Sequence, residues 1–311
     1  MRLKGVKIMS KLAKFFIICA AVCVLGIVMT FAGYAAGGWD NMEKVADNHE
    51  WLNVGPESAE VETIEVGEFK SIEAEGSMDI AIVSPGDDAD FPEGPDFLKN
   101  IYDDGVAGTV AVKGAKGSVL PEVTNENGVL KIKGSTESID HVEINLNGND
   151  PSPDVVVFCS DEELESININ GKYGDVAIAG VNAKSITATV ESGDIDIEEL
   201  TCGEITVETE TGDIETSSVT GSKMELKTNT GDIEINGGVG EISAATNVGN
   251  IEFNSSLPKS QYEISVAAGT GTISIGENEI ETENEFSLPG GPNKLTFKTT
   301  TGDIDVDFEE D

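Results

Sequence analysis

Arginine, histidine and aromatic residues are scarce in this chain of 311 residues. Arg2 is the only arginine, there are two histidines, and aromatic residues make up 5% of the sequence, while the formal net charge is −39. Nucleic-acid-binding proteins neutralise phosphates with Lys and Arg, so these absences exclude nucleic acid as a partner. A cationic partner, a metal ion or simple solubility is a better explanation of so large a negative net charge. The histidines, His49 and His141, lie near no nucleophile motif and at no metal-ligand spacing from a cysteine, so the sequence predicts no enzyme.

Cysteine is also rare, with four residues in the chain. Cys19 and Cys23 lie inside a long apolar run, where packing accounts for them. Cys159 ends another apolar run, whereas Cys202 lies in a predicted turn, so the sequence leaves open whether these two form a disulfide. The cysteines therefore indicate no particular chemistry.

Basic residues are concentrated at the amino terminus, before the first acidic residue, Asp40. They are Arg2, Lys4, Lys7, Lys11 and Lys14. Only 14 basic residues then remain in residues 40–311, against 58 acidic ones, which gives that part a formal charge of −44.

An uncharged apolar run follows these basic residues and reads FFIICAAVCVLGIVMTFAGY over residues 15–34. As a helix it spans roughly 30 Å, the thickness of the hydrocarbon core of a membrane. Because the flanking basic residues favour the cytoplasmic side, we predict a single-pass cell-membrane protein with a cytoplasmic stub over residues 1–14 and a transmembrane helix over residues 15–36. A signal peptide cleaved near Ala35 is the alternative, although the run exceeds the usual signal core of about 7–15 residues.

Beyond the membrane the sequence divides into a linker and two β-rich parts. Residues 37–60 read as a linker, and residues 61–165 as an irregular amino-terminal β part of an extracytoplasmic domain. Alternation of apolar and polar residues, as in residues 79–83, predicts strands in this part, and residues 84–120, rich in Pro, Gly and Asp, predict a long loop. Regular repeats fill residues 166–311.

The phrase Gly-Asp-Ile, or a close variant, recurs seven times within these repeats. Its glycines are Gly174, Gly193, Gly212, Gly231, Gly249, Gly271 and Gly302. The first four lie 19 residues apart, and a fixed period of this size predicts a repeat architecture. Glycine supplies the positive φ that a sharp corner needs, and Asp can bond its own backbone in a turn, so we assign these glycines to one corner of a coil.

Apolar positions keep a constant distance from this turn. An apolar residue lies eight positions before each turn residue, as Ile205 does before Asp213, and another follows directly, as Ile214 does. Such columns stack when successive coils lie about 4.8 Å apart with parallel, in-register strands. The sequence therefore predicts an all-β, parallel β-solenoid with coils of about 19 residues, right-handed by the crossover rule. Stacked antiparallel hairpins are the alternative, but they would not require matching columns between repeats.

The segment that returns from a turn to the next coil varies from 10 to 23 residues. Repeat folds place recognition loops on the edge that accepts insertions, so residues 276–294 are the strongest candidate for such a loop. We expect the last repeat in sequence to close the stack, where its acidic residues 303–311 would discourage end-to-end association.

Acidic side chains at and after the turns predict a ladder on one outer face, because strand side chains two positions apart point the same way. The ladder consists of Asp194, Asp196, Asp213, Glu215, Asp232 and Glu234. Ca²⁺ takes 6–8 oxygen ligands and suits such a stripe. The alternative is that Asp caps the turn while the charges keep the surface soluble, and no other cofactor is expected.

A second outer row is dominated by hydroxyl side chains and suits a glycan or the cell wall. It consists of Asn168, Thr187, Thr206, Glu225, Ser243, Ser265 and Thr296. Ordinary strand propensity of Thr on a solvated face explains the same row without any ligand.

The repeat motif resembles that of the bacterial "putative adhesin" family of membrane-anchored β-strand repeats. Residues 206–215, TVETETGDIE, are a close instance, residues 69–74 resemble the family's opening strand, and residues 127–132 resemble a recurring middle strand. The resemblance covers residues 65–311 and implies non-enzymatic binding or scaffolding at the cell surface, with a cell-wall, glycan or protein ligand. One alternative is an accessory modulator of envelope-stress signalling that acts through a membrane signalling partner. A polysaccharide-active enzyme is the other.

Overall fold

The computed structural model describes residues 52–53, 60–84, 105–114, 120–135, 144–145, 154–276 and 285–308. The predicted cytoplasmic stub and transmembrane helix, and most of the linker, lie outside these residues. In the part of the chain that is described, no helix is long and apolar enough to cross a membrane.

The described residues form 24 β-strands and one 3₁₀-helix, Lys259–Gln261. The strands are β1 (Leu52–Asn53), β2 (Glu60–Glu65), β3 (Ser71–Gly76), β4 (Asp79–Val83), β5 (Thr109–Gly114), β6 (Glu122–Glu126), β7 (Val129–Lys133), β8 (Ile144–Asn145), β9 (Asp154–Phe158), β10 (Ser166–Tyr173), β11 (Val176–Ala179), β12 (Ala183–Ser192), β13 (Ile195–Glu198), β14 (Thr201–Thr211), β15 (Ile214–Ser217), β16 (Thr220–Thr230), β17 (Ile233–Asn236), β18 (Val239–Val248), β19 (Ile251–Ser255), β20 (Tyr262–Thr270), β21 (Ile273–Ile275), β22 (Glu285–Leu288), β23 (Asn293–Thr301) and β24 (Ile304–Phe308).

The chain separates into two compact units. The smaller unit comprises residues 1–56 and 139–150, and its described residues form one short parallel pair, β1 with β8. The larger unit comprises residues 57–138 and 151–311 and contains both large sheets. All that follows concerns the larger unit.

Two sheets of eleven strands form this larger unit. The first sheet has the order β22-β20-β23-β18-β16-β14-β12-β10-β3-β7-β6, and the second has the order β2-β5-β9-β4-β11-β13-β15-β17-β19-β24-β21. Each coil gives one strand to each sheet, and pairing between coils is parallel and in register, as in Ile186↔Ile205. Antiparallel pairs occur only towards the sheet ends among the described strands, at β2–β5, β5–β9, β6–β7 and β20–β22. The prediction of an all-β, parallel, solenoid-like fold is confirmed, and the hairpin alternative is wrong for the repeats; the right-handed sense stays a prediction.

The interior follows from the alternation of side chains along each strand. Ile186, Ile205 and Met224 are buried in one column, whereas the residue after each of them points outward. A further apolar column fills the return corner, where Val181, Leu200 and Val219 are buried. The column of Val181, Leu200 and Val219 fills the interior of the coils at the corner where the chain returns from the second sheet to the first. It was missed in the sequence because each member stands alone between polar residues.

The order of coils along the stack differs from their order in sequence. The carboxy-terminal coil, β23–β24, lies between coil β18–β19 and coil β20–β21, so the expectation that the last repeat closes the stack is wrong. The described residues of the predicted recognition loop 276–294 include β22, which pairs antiparallel with β20 and forms the edge of the first sheet. At the other end β3–β4 likewise lies between β7–β9 and β10–β11.

Packing of aromatic residues explains the placement of the last coil. Phe253, Tyr262, Phe297 and Phe308 come from three coils and form one cluster, with ring centroids 5.4–6.2 Å apart. The Tyr262 hydroxyl lies 2.7 Å from the Ser255 hydroxyl, so its polar end is satisfied while the ring is buried. The large rings of β24 and β23 therefore fill the space between the two preceding coils.

The corner glycines are required by backbone conformation and by close approach. The φ angles of all seven glycines lie between +124° and +154°. A Cβ added to Gly212 would overlap the carbonyl oxygen of Gly193 in the neighbouring coil. A side chain in place of the turn glycine would thus push successive coils apart.

We predict that Gly212→Ala lowers the free energy of unfolding by about 3 kcal/mol, because it adds backbone strain to a steric overlap. Gly128→Ala is the matched control: φ of Gly128 is +81°, but nothing lies within 4 Å of an added Cβ, and we expect a cost of about 1 kcal/mol. Urea denaturation followed by circular dichroism measures both. Equal costs would show that close approach between coils does not matter.

Candidate functional site

A ladder of hydrogen bonds runs through the Gly-Asp corners. In each corner the backbone N–H of the turn residue donates to the side-chain Oδ1 of the turn residue in the adjacent coil. The bonds are Asp175 to Asp79 (2.9 Å), Asp194 to Asp175 (2.9 Å), Asp213 to Asp194 (2.8 Å), Asp232 to Asp213 (2.7 Å), Asn250 to Asp232 (2.6 Å), Asp303 to Asn250 (2.9 Å) and Thr272 to Asp303 (2.7 Å). The expectation that Asp bonds its own turn is therefore corrected, since these carboxylates cap the next turn.

The ladder has a member that sequence analysis missed and a defined last step. Asp79 follows Gly76 by three residues and lacks the Gly-Asp phrase, so the motif did not reveal it. At the other end, Thr272 donates both its N–H and its hydroxyl to Asp303. These two bonds hold the pKa of Asp303 below its ordinary value. Thr272 has no carboxylate of its own, and the ladder stops at coil β20–β21, the end of the stack.

Buried threonines support four of the seven corners from the inside. Thr209, Thr228, Thr246 and Thr299 stand three residues before their turn glycines and are buried. Each hydroxyl donates to a glycine carbonyl of the preceding coil in the stack: Thr209 to Gly193 (3.2 Å), Thr228 to Gly212 (3.0 Å), Thr246 to Gly231 (3.0 Å) and Thr299 to Gly249 (2.9 Å). The repeat motif contained this Thr, but only the stacking of coils shows its partner.

The carboxylates two positions after the turns form a separate row on the outer face of the second sheet. Asp196, Glu215 and Glu234 are neighbours in register, and Glu252 and Asp305 continue the row. The structure therefore divides the predicted six-residue ladder in two: Asp194, Asp213 and Asp232 in the corners, and Asp196, Glu215 and Glu234 on the sheet face.

Burial and mutual repulsion disturb the ionisation of this row. Partial burial raises the pKa of Asp196 to about 7, with smaller contributions from the charges of Glu215, Asp194 and Glu198. Burial, then the charge of Glu234, raises the pKa of Glu215. Ionisation of Asp196 and Glu215 is therefore less favourable than that of a solvated carboxyl group.

Amide side chains offset part of this repulsion. Asn236 donates to Glu234 at 2.8 Å and Asn254 donates to Glu252 at 3.0 Å, while the two amides bond each other at 2.9 Å. Among the described residues there is no group of three or more His, Cys, Asp or Glu side chains placed to hold a metal ion. Calcium binding to the six acidic residues stays a prediction.

The two cysteines within the described residues are free thiols. Cys159 and Cys202 are both buried, in the β9 coil and in β14. Burial raises the pKa of the Cys159 thiol to about 12. A thiol with so high a pKa is a weak nucleophile, so neither redox nor nucleophilic chemistry is expected there.

The predicted hydroxyl row lies on the outer face of the first sheet, and one end of it borders a groove. Asn168, Thr187 and Thr206 are neighbours in register, and the row continues beyond Asn168 to Glu73 and Lys131. A parallel row two residues further along the strands runs through Lys133, Glu75, Asn170 and Thr189.

The groove between these two rows has a volume of about 530 Å³. Eight outward side chains line it: Glu73, Glu75, Lys131, Lys133, Asn168, Asn170, Thr187 and Thr189. Ala74, Ile132 and Ile169 also border it, although their side chains are buried. Both lysines are in ion pairs, Lys133 with Glu75 at 3.1 Å and Lys131 with Glu126 at 2.7 Å. Sequence analysis found Asn168 and Thr187 but not Asn170 and Thr189. It also missed the lysine side, because β7 is far from β10 in sequence.

Comparison with known proteins places the chain in a family. A family model described as Toastrack DUF4097 matches residues 103–311, two thirds of the sequence. The chain belongs to this family. The match covers β5 to β24, and therefore all the Gly-Asp corners of the Toastrack domain. No curated protein matches the chain.

Several solved structures resemble this Toastrack chain at low sequence identity. A putative adhesin from Bacteroides fragilis is 20% identical and has a TM-score of 0.45, with 82% of this chain and 98% of that chain covered. A putative cell adhesion protein from Clostridium sporogenes is 10% identical with a TM-score of 0.38, covering 82% and 100%. A putative adhesin from Parabacteroides distasonis is 13% identical with a TM-score of 0.41, covering 81% and 98%. The predicted resemblance to the adhesin-like family is confirmed.

We predict that Asp213→Ala lowers the free energy of unfolding by about 1 kcal/mol, because the N–H of Asp232 loses its acceptor. Asp213→Asn keeps an Oδ1 acceptor, as Asn250 does naturally, and should change stability by less than about 0.5 kcal/mol. Urea denaturation of both variants at one pH measures the difference. An Asn variant as unstable as the Ala variant would show that the charge, not the acceptor, holds the corner.

Acidification should stabilise the fold. The folded-state pKa of Asp196, about 7, lies above its ordinary value of 3.8. Ionised Asp196 therefore lowers the stability of the fold by its full amount above pH 7, and this loss disappears as the pH falls towards 4. We expect the melting temperature to increase as the pH is lowered from 8 to 5. Asp196→Asn should raise stability at pH 8 by about 1 kcal/mol and flatten the pH profile, after allowance for solvent screening. The exposed Glu210→Gln is the control, and an equal flattening by it would contradict the assignment to Asp196.

Proposed function

We propose that this chain is a non-enzymatic, adhesin-like binding protein of the cell surface, held at the membrane by its amino-terminal segment, and that the groove on the first sheet binds a glycan of a cell wall or cell surface. The groove is the observation that supports this proposal. Its volume of about 530 Å³ falls within the range of about 300–1,000 Å³ of ordinary ligand sites.

The chemistry of the groove suits a ligand rich in hydroxyl groups. The amides of Asn168 and Asn170 each offer donors and an acceptor, and the hydroxyls of Thr187 and Thr189 offer both as well. A sugar hydroxyl is also both donor and acceptor and can match either partner. Since Lys133 and Glu75 are paired with each other, the groove has no dominant charge that would select a strongly ionic ligand.

The stacked coils keep the groove in shape before a ligand arrives. The strands that form it, β7, β3, β10 and β12, are paired in register along their length. The Asp corners fix the coils β3–β4, β10–β11 and β12–β13 to one another. A rigid sheet loses little conformational entropy on binding, which favours affinity from a small number of hydrogen bonds.

Paired substitutions on the same sheet test the site. Asn170→Ala combined with Thr189→Ala removes two side chains from the groove, whereas Ser265→Ala combined with Thr296→Ala removes two outward hydroxyls outside it. We expect the first pair to weaken binding to purified cell wall or to a glycan array by about tenfold or more, at about 1 kcal/mol for each lost hydrogen bond, and the second pair to leave binding unchanged. Equal binding by both variants would contradict the proposal.

A deletion strain separates the proposed role from its alternatives. Loss of surface binding that the chain restores, but the Asn170/Thr189 variant does not, supports a binding function. Normal binding with an altered response to envelope-active antibiotics supports the accessory signalling role instead. Release of sugar fragments by the purified chain would establish an enzyme.

A further inference from the structure

The carboxy-terminal coil fills a slot between two coils that precede it in sequence. β23 pairs with β18 on one side and with β20 on the other, and β24 pairs with β19 and with β21. Within the described strands, β20 and β21 have no backbone pairing with β18 or β19. The backbone pairing that joins the end coil β20–β21 to the rest of the stack therefore runs through the inserted strand pair, and Tyr262 adds side-chain contacts to Phe253 and Ser255.

Side chains on both sides of the slot also bind the inserted strand pair. Asp303 donates its N–H to Asn250 at 2.9 Å and accepts from the N–H and hydroxyl of Thr272 at 2.7 and 2.9 Å. Thr299 donates its hydroxyl to the carbonyl of Gly249 at 2.9 Å. A segment that enters the slot must thus present Thr, two further residues and then Gly-Asp.

Apolar packing and steric fit add to this selectivity. Phe297 and Phe308 lie 5.6 and 6.2 Å from Phe253 on the near side of the slot, measured between ring centroids. A Cβ on Gly302 would overlap the carbonyl oxygen of Gly249, so the turn glycine cannot be replaced in the occupant.

An exposed connection leads into the strand pair. Residues 289–292, Pro-Gly-Gly-Pro, are exposed and join β22 to β23. A connection of this kind allows the strand pair to leave the slot of its own chain and to reach the slot of a neighbouring copy.

We propose that the slot between coils β18–β19 and β20–β21 is an acceptor site for a β-strand pair, and that its second occupant is β23–β24 of another copy of this chain. The same contacts then form between molecules as within one molecule, and the product is a dimer with exchanged carboxy-terminal coils. This inference is independent of the glycan groove, which lies on β7, β3, β10 and β12.

The acceptor site can be tested in the full chain, purified in detergent, with a protease site inserted between Pro289 and Gly290. After cleavage of the folded protein, a fluorescent peptide of residues 291–311 is added and its uptake is followed by anisotropy and gel filtration. We expect uptake of this peptide and about tenfold or more weaker uptake of the same peptide carrying Gly302→Val, because the side chain brings strain and overlap. No uptake of the unaltered peptide, or equal uptake of both, would overturn the acceptor site.

Exchange between copies is tested without cleavage, so this second measurement does not depend on the cut chain staying folded. Two full chains with different affinity tags are mixed at high concentration a few degrees below the melting temperature, cooled and captured through one tag. A control variant combines Ser265→Cys with Thr296→Cys, and its disulfide ties β20 to β23 of the same chain. The two positions are neighbours in register on one face of the sheet, and the spacing of paired strands permits the bond. We expect mixed dimers from the unaltered and the reduced double-cysteine chains but not from the oxidised one. Absence of mixed dimers in all three, or equal amounts in all three, would overturn the exchange.

Discussion

One hydrogen bond, from a turn N–H to the side-chain oxygen of the turn residue in the adjacent coil, sets the geometry on which the stack depends. Backbone pairing satisfies the other N–H groups of the corner: that of Gly193, for example, bonds the carbonyl of Thr211, and that of Ile195 bonds the carbonyl of Asp213. The N–H between them, that of Asp194, donates instead to the side-chain oxygen of Asp175. The corner can therefore be as tight as glycine allows without leaving a polar group unpaired. Because each bond joins two coils, spacing and register are fixed together.

This use of Asp divides the acidic charge of the protein into two kinds. Corner carboxylates such as Asp194 are engaged with a backbone donor, which compensates their charge locally. Face carboxylates such as Asp196 and Glu215 meet like charges and partial burial instead. The same strip of sequence, Gly-Asp-Ile-Asp, thus places a stabilising and a destabilising carboxylate two residues apart. The amides of Asn236 and Asn254 reduce the cost only at the end of the row where they occur.

The ends of the stack obey a different constraint from its middle. A coil in the middle has parallel neighbours on both sides, whereas an end coil would leave a row of open backbone groups. In the first sheet, antiparallel strands cover both ends, β6 on β7 and β22 on β20. In both places a coil from elsewhere in the sequence lies next to the end coil: β3, which precedes β7, and β23, which follows β20. The carboxy-terminal strand pair and the groove-forming strand β3 are therefore both held from two sides.

The sequence by itself determined the repeat, the inward and outward alternation of side chains, and the position of the corner. A period of 19 residues with a constant distance from Ile205 to Asp213 permits parallel stacking in register and little else. The tertiary structure alone decided which coil lies beside which, because every coil carries the same columns and fits every other. It therefore also decided the acceptor of each Asp, the partner of Thr299, and the positions of Lys133 and Asn170 on either side of Glu75. Such contacts join residues far apart in the chain, and local periodicity contains no information about them.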